Sequence, residues 1–247
     1  MIVDAWPGLT LLNPVPDGHR NKVWVGIYDG QRVAVRRSRR SADSLRWELD
    51  LLASIADLGL HIAEIVPTIN GEPHANGVVV QRWIDGRQPA EKWEWQLVAE
   101  QLRRLHEATT DRDQRPNCCI VTELRQHQRS VDADISLLPD AERELILEIF
   151  DRFVDTPIAV IHGDPGASNI RIDDEDRVWL LDWDESRVDL CWLDLANLGL
   201  HVLDDDTHHQ ATILAHAWEA INAWTAEPTY ARRRLAELEH ILNSPRA

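Results

Sequence analysis

The sequence predicts an α+β protein, or two lobes of different architecture, and three observations carry that reading. Strand signals crowd the first part of the chain. Helical periodicity dominates beyond about residue 84. Charge changes at the same place: residues 1–84 hold nine basic and nine acidic residues, whereas 85–247 hold 17 basic against 33 acidic, the whole of the −16 net charge. Strands followed by helices read as α+β or as separate domains. With 247 residues, 44% of them apolar, the chain is long enough to bury a sizeable core.

The first elements are β. Val23-Trp24-Val25-Gly26-Ile27-Tyr28 and Gln31-Arg32-Val33-Ala34-Val35-Arg36 flank Asp29-Gly30, and Asp-Gly between β-branched runs predicts a tight hairpin. A helix follows over 43–58, where Leu45, Leu49, Leu52 and Ile55 recur at helical spacing and Gly59 ends the run. Val78-Val79-Val80 is a short strand, and Gln81 to Gly86 leaves it as a connector.

Helices then take over. Trp95, Val98, Leu102 and Leu105 mark one amphipathic helix. Another is expected over 139–154, with Ala141, Leu145 and Ile149 as its apolar stripe, and the tail from about 207 also reads as helix. Trp47 and Trp95 are expected in the core. Asp204-Asp205-Asp206 suits a helix N-terminus ahead of Thr207, although a site for amines would use the same residues.

Composition excludes several classes. An acidic surface argues against nucleic acid as a partner, and it suits a small cationic one. No apolar run reaches the ~18 residues of a membrane span. The stretch MIVDAWPGLTLL lacks the basic flank of a signal peptide. Cys118, Cys119 and Cys191 have neither zinc-ligand nor disulfide-framework spacing. A cytoplasmic location is expected.

The chemistry concentrates in His162-Gly-Asp-Pro-Gly-Ala-Ser-Asn169 and the LLDWDE segment that begins at Leu180. Ile158–Ile161 reads as a strand entering His162. Asn169–Ile172 and Val178–Leu181 read as the arms of a hairpin across 173–177. A hairpin centred between Glu175 and Asp176 sets Asn169 directly opposite Asp182, with Cα atoms ~4.5–5.5 Å apart. An amide oxygen and a carboxylate at that spacing suit one hard cation, and magnesium takes such ligands together with phosphate oxygens. Asp164, in the turn before Asn169, is placed to accept a proton from an attacking hydroxyl. His162 is expected to hold that turn by hydrogen bonds. Asp184 and Glu185 are expected at a solvated rim.

These residues resemble a known family. HGDPGASN is similar to the H-G-D-x-x-x-x-N loop of the aminoglycoside phosphotransferase and choline kinase family. LLDWDE resembles its I-D-W-[DE] segment, and Asp194-Leu195-Ala196 the Asp-Leu-Ala that follows. Asp189 and Asp194 are similar to the structural acids that brace such a turn in that family. More weakly, Gly18 to Trp24 is similar to the family's nucleotide loop, Val33–Arg36 to the strand with the basic phosphate ligand, and Val80–Trp83 to the hinge. Leu102–His106 is similar to the helix end Leu-x-x-Leu-His.

The resemblance implies a bilobal protein-kinase-like fold. A small antiparallel β N-lobe over 1–84 would bind nucleotide, and a larger, mostly helical C-lobe over 85–247 would be catalytic and bind the acceptor. It implies ATP and Mg2+, with Asp164 and His162 in the catalytic loop and Asn169 and Asp182 on the metal. Arg36 would contact phosphate with Glu48 as its ion-pair partner, and Asn21, Gln81 and Trp83 would serve the nucleotide. Two features of the residues agree. Ala34 and Arg36 share one strand face, and Glu48, on an apolar helix stripe, needs a partner. Arg stands where protein kinases use Lys, and it grips phosphate bidentately.

The expected activity is transfer of the ATP γ-phosphoryl group to a hydroxyl of a small molecule. A cationic acceptor such as an aminoglycoside or an amino alcohol like choline agrees with the acidic C-terminal part. The alternatives are a kinase for homoserine, a sugar, a macrolide or thiamine, or a catalytically idle nucleotide-binding protein.

Overall fold

The structure, a computed structural model, describes residues 2–15, 22–131, 133–196, 198 and 202–244. In chain order its elements are α1 (Ile2–Ala5), β1 (Thr10–Pro14), β2 (Lys22–Tyr28), β3 (Gln31–Arg37), α2 (Ala42–Asp57), β4 (His61–Ile62) and β5 (Val78–Arg82). Then come α3 (Lys92–Ala108), α4 (Leu124–His127), β6 (Arg129–Ser130), β7 (Ala133–Asp134), α5 (Asp140–Asp151) and β8 (Ile158–Ile161). The chain continues through β9 (Ile170–Ile172), β10 (Val178–Leu180), β11 (Arg187–Leu190), α6 (Trp192–Leu195), α7 (Asp205–Asn222) and α8 (Pro228–Asn243). The α+β class read from the sequence is the class observed. By contacts the chain divides into two compact units, Met1–Pro89 with Ala167–Asp184, and Ala90–Gly166 with Glu185–Ala247.

The first unit is built on an antiparallel sheet in the order β1-β2-β3-β5. Its central hairpin closes with Tyr28 opposite Gln31, and both Asp29 (φ 50°) and Gly30 (φ 73°) are left-handed. That is the two-residue turn an Asp-Gly pair favours. Alternation splits the sheet into two faces. Val33 and Val35 of β3 and Val78 and Val80 of β5 pack with Trp6, Leu9 and Val66. On the other face Val79 packs with Leu45 and Leu49 of α2.

Helix α2 starts at Ser41, whose hydroxyl accepts from the Ser44 N–H at 3.3 Å, and it buries Leu45, Glu48, Leu49, Leu52 and Ile55. Arg36 lies opposite Val79 in the β3–β5 ladder, so the packing of α2 onto Val79 brings Glu48 against Arg36. A second small sheet, β4-β10-β9, completes the unit.

The second unit is mostly helical. Its core joins Ile146, Ile149 and Phe150 of α5, Leu190 of β11, Leu214, Ala217 and Trp218 of α7, and Leu235 and Leu238 of α8. The apolar face of α5 differs from the expected stripe: Ala141 is exposed and Leu145 half-buried, while Ile146, Leu147, Ile149 and Phe150 are buried. The Ile146-Ile149-Phe150 set is the wider of the two possible stripes, so it wins the core. Trp47 and Trp95, expected inside, are half-buried. Asp204 caps α7, accepting from the Thr207 N–H at 3.0 Å and hydroxyl at 2.8 Å. Among the described residues, no helix is long and apolar enough to cross a membrane.

Candidate active site

The first unit contains a cavity of about 220 Å3. Val23, Ala34, Ala63 and Leu180 give it apolar walls, and Arg36, Gln81, Trp83, Asn169 and Asp182 also line it. Gln81 lies opposite Ala34 in the sheet, so both project from the face that carries Arg36. Trp83 is half-buried, and its N–H is spent on the Arg32 carbonyl at 3.1 Å. That N–H is the backbone donor, so it is spent within the first unit rather than offered to a ligand. Asn21 lies outside the described residues.

Asn169 and Asp182 reach the cavity by a different route from the one expected. The hairpin pairs Ile172 with Val178 and Ile170 with Leu180, which is one residue out of the anticipated register. The N–H of Leu181, rather than Asp182, meets Asn169, donating to its carbonyl at 2.8 Å. The cause is the loop. Asp173 and Arg177 form its closing pair, with Asp173 N–H donating to Arg177 O at 3.1 Å. The Asp173 carboxylate accepts from the N–H groups of Glu175 (3.0 Å) and Arg177 (2.9 Å), and Asp176 is left-handed (φ 59°). A three-residue loop centres the hairpin on Glu175 and shifts every pair by one. Asn169 ends a short 3-10 turn, Ala167–Asn169, and Asp182 has φ 56°. Both lie just beyond the paired ends, where strand alternation no longer dictates direction, and both line the cavity.

Arg36 is 5% exposed and donates to the Glu48 carboxylate, which is fully buried. Burial opposes its charge, but Glu48, Asp182 and Asp184 outweigh that and raise its pKa, so it is a fixed cation. Asp184 corrects the expectation of a solvated rim. It is 5% exposed, accepts from Arg40 Nη2 at 2.8 Å and Nε at 3.1 Å, and lies 3.4 Å from Arg36 Nη1. Nothing in its spacing separates a buried carboxylate from a rim one. The usable signal was the arginine run Arg36-Arg37 and Arg39-Arg40, which brings cations that need a partner.

In the second unit, β8 delivers the chain to His162, which is fully buried. Gly163 is left-handed (φ 90°), and a Cβ there would come within 2.5 Å of the Glu185 carbonyl oxygen. Only glycine fits this turn. Asp194 holds it, accepting from the N–H groups of His162 and Gly163 at 2.9 Å each and from His106 Nε2 at 2.9 Å. His106 is the histidine of the Leu-x-x-Leu-His helix end, which sequence reasoning noted without a partner. Burial opposes its charge, but Asp194 and Cys191 carry its pKa up to about 9. Burial would raise the Asp194 carboxyl, yet His106, His162 and the Gly163 N–H lower it on balance. Asp164 follows, exposed, with its N–H 3.3 Å from His162 Nδ1. Asp189 is buried, but its partners are the Val121 N–H at 3.0 Å and Arg187 Nε at 2.8 Å rather than the His162 turn it was expected to brace.

An antiparallel sheet backed by one helix, joined to a helical unit whose His-Gly-Asp turn is pinned by an Asp, defines a kinase-like α+β protein. The phosphotransferase enzyme family (APH) matches residues 12–236, and the chain belongs to that family. No curated protein is a match at the level of whole sequences. Among solved structures, the choline kinase LicA from Streptococcus pneumoniae is similar with TM-score 0.70 and 15% identity, covering 98% of this chain and 96% of that one. A thermostable mutant of the aminoglycoside phosphotransferase APH(4)-Ia has TM-score 0.71 at 11% identity, covering 97% and 96%. The amicoumacin kinase hAmiN, solved in complex with AMP-PNP, Ca2+ and Ami, has TM-score 0.65 at 15% identity, covering 94% and 86%. At these identities the likeness is one of fold.

Proposed function

We propose that this protein is a cytoplasmic kinase that transfers the γ-phosphoryl group of ATP, with Mg2+, to a hydroxyl of a small cationic molecule such as an aminoglycoside or an amino alcohol. The observation that carries the reading is the cavity of the first unit. Its lining combines a fixed cation, Arg36, two hard oxygen donors, Asn169 and Asp182, and apolar residues such as Val23, Ala34 and Leu180. That donor set fits a magnesium nucleotide: an amide oxygen and a carboxylate for the metal, a guanidinium for phosphate, and apolar side chains for a base.

Residues 1–84 then form the nucleotide-binding lobe and 85–247 the catalytic and acceptor-binding lobe. Ala34, Gln81 and Trp83 flank the base. Arg36, held in place by Glu48, orients the α- and β-phosphates and offsets their charge. Asn169 and Asp182 hold the metal, which when bound supplies charge neutralisation at the transferring phosphoryl group. Asp164 orients the acceptor hydroxyl and accepts its proton. His162 keeps the Asp164 turn in shape. The acidic excess of residues 85–247 raises the local concentration of a cationic acceptor.

The test is magnesium-dependent ATP turnover over a panel of aminoglycosides, choline, sugars and amino acids, run beside Asp164→Ala. At least one cationic hydroxyl compound should support turnover, and the substitution should lower kcat by about 10²–10⁴-fold with nucleotide binding kept. Full-rate turnover by Asp164→Ala removes the base assignment. Nucleotide binding with no turnover on any acceptor makes the protein an idle nucleotide binder.

A further inference from the structure

Asp182 adopts a left-handed backbone, φ 56°, although it carries a side chain. That backbone is uncommon for a residue with a Cβ, and although Asp adopts it more readily than most, its neighbours decide whether it is held there. The surroundings here are specific. Before it, the Leu181 N–H is bound to Asn169 O at 2.8 Å. After it, Trp183 is 3% exposed and its indole N–H donates to Leu180 O at 3.0 Å. Next comes Asp184, whose Oδ2 takes both Arg40 Nε (3.1 Å) and Arg40 Nη2 (2.8 Å), and whose Oδ1 lies 3.4 Å from Arg36 Nη1. Arg40 stands in the short connection between β3 and α2, and its side chain is 13% exposed. Neither Arg40 nor Asp184 is among the residues lining the cavity. Their effect on a ligand must therefore pass through a neighbour.

We propose that Arg40 is a positioning residue for the metal-binding turn. By clamping Asp184 it fixes the left-handed turn at Asp182, and so the direction in which the Asp182 carboxylate meets a divalent cation. The Asp184 carboxylate also lies 3.4 Å from Arg36 Nη1, but Arg36 is held chiefly by Glu48. Arg36 keeps Glu48 when the clamp is broken, so the loss should fall on the metal carboxylate and not on the phosphate cation. The planar guanidinium matters, because two of its N–H groups converge on one oxygen, which an ammonium cannot reproduce. The inference rests on the proposed metal role of Asp182. Outer-shell partners of this kind are typically worth about 10–100-fold in metal affinity.

The experiment measures Mn2+ binding by loss of its free electron paramagnetic resonance signal, with AMP-PNP present. It is paired with AMP-PNP affinity in the absence of metal. The proteins are the wild type, Arg40→Gln, Arg40→Lys and Asp184→Asn, each checked for folding by its thermal midpoint. Arg40→Gln and Asp184→Asn should weaken Mn2+ by about 10-fold or more, while metal-free nucleotide affinity stays within about twofold. Arg40→Lys should recover part of the loss. Should Arg40→Gln fail to fold, Arg40→Lys decides alone: unchanged Mn2+ affinity overturns the proposal, and a selective loss supports it. Wild-type Mn2+ affinity retained in folded Arg40→Gln, or metal and metal-free nucleotide affinity falling together, overturns this inference alone. A wild-type protein that binds neither Mn2+ nor the nucleotide analogue overturns the proposed function, and this inference with it.

Discussion

Each unit of the molecule buries a charged hub, and the two hubs are finished differently. In the second unit Asp194 is fully buried and takes up the N–H groups of His162 and Gly163 together with His106. All of these donors are internal. In the first unit Arg36 is almost as buried and holds Glu48 and Asp184, yet it also lines a cavity beside Asn169 and Asp182. The chemistry is alike, a desolvated ion kept by opposite charge and hydrogen bonds. A hub whose donors are all internal stabilises a loop shape. A hub that also faces a cavity can in addition read a ligand.

The largest effects should come from breaking the hubs themselves. Asp194→Ala and Arg36→Met each leave buried partners uncompensated, and each should cost about 3–5 kcal/mol in urea unfolding. The comparison separates them once a nucleotide analogue is added. At 100 times its Kd a ligand raises stability by about 2.7 kcal/mol. Asp194→Ala should keep that increment, because its hub holds the catalytic turn rather than the cavity. Arg36→Met should lose most of it. If both variants keep the increment, Arg36 is a brace like Asp194 and the contrast between the hubs fails.

A smaller effect isolates the second hub by pH. His106 has its pKa raised to about 9 from an ordinary 6.5. A group raised in the folded state contributes stability that is complete below its unfolded pKa and disappears as pH climbs through the folded one. Stability should therefore decline between about pH 6.5 and 9 by on the order of 3 kcal/mol. His106→Gln should flatten that decline. Asp194 is shifted the other way, so its share is present above the ordinary carboxylate range and is lost as pH falls below it. Wild type and His106→Gln giving parallel curves from pH 6 to 10 would show that the histidine carries no charge-linked stability.

Much of this was legible in the sequence, for physical reasons that also mark where legibility ended. Asp29-Gly30 permits few backbones other than the turn it makes, so the hairpin could be read locally. Glu48 on an apolar stripe demanded a cation, and Arg36 supplies it. The β9–β10 register could not be read with the same security. Asp173 binds two loop N–H groups and makes a three-residue loop where an even one is equally compatible with the composition. That single choice moves Asp182 out of the ladder. The burial of Asp184 was hidden for a related reason: it depends on Arg40, 144 residues away in sequence. Side-chain partners at that separation leave no periodic signal in either segment.

The smallest expected effect tests whether α2 is scaffold or site. Its N-terminus is capped by Ser41, whose hydroxyl accepts from the Ser44 N–H, and Glu48 lies about two turns beyond that cap. Ser41→Ala removes one acceptor and should cost about 1 kcal/mol, a fall of a few degrees in thermal midpoint for a chain of this length. Fraying of the first turn leaves Leu45, Leu49 and Val79 packed, and these contacts, rather than the cap, keep Glu48 against Arg36. The increment in stability from a nucleotide analogue should accordingly match that of the wild type. A variant that loses the increment along with the cap would place the start of α2 inside the ligand-reading hub, and the boundary between brace and site in the first unit would have to be redrawn about two turns earlier.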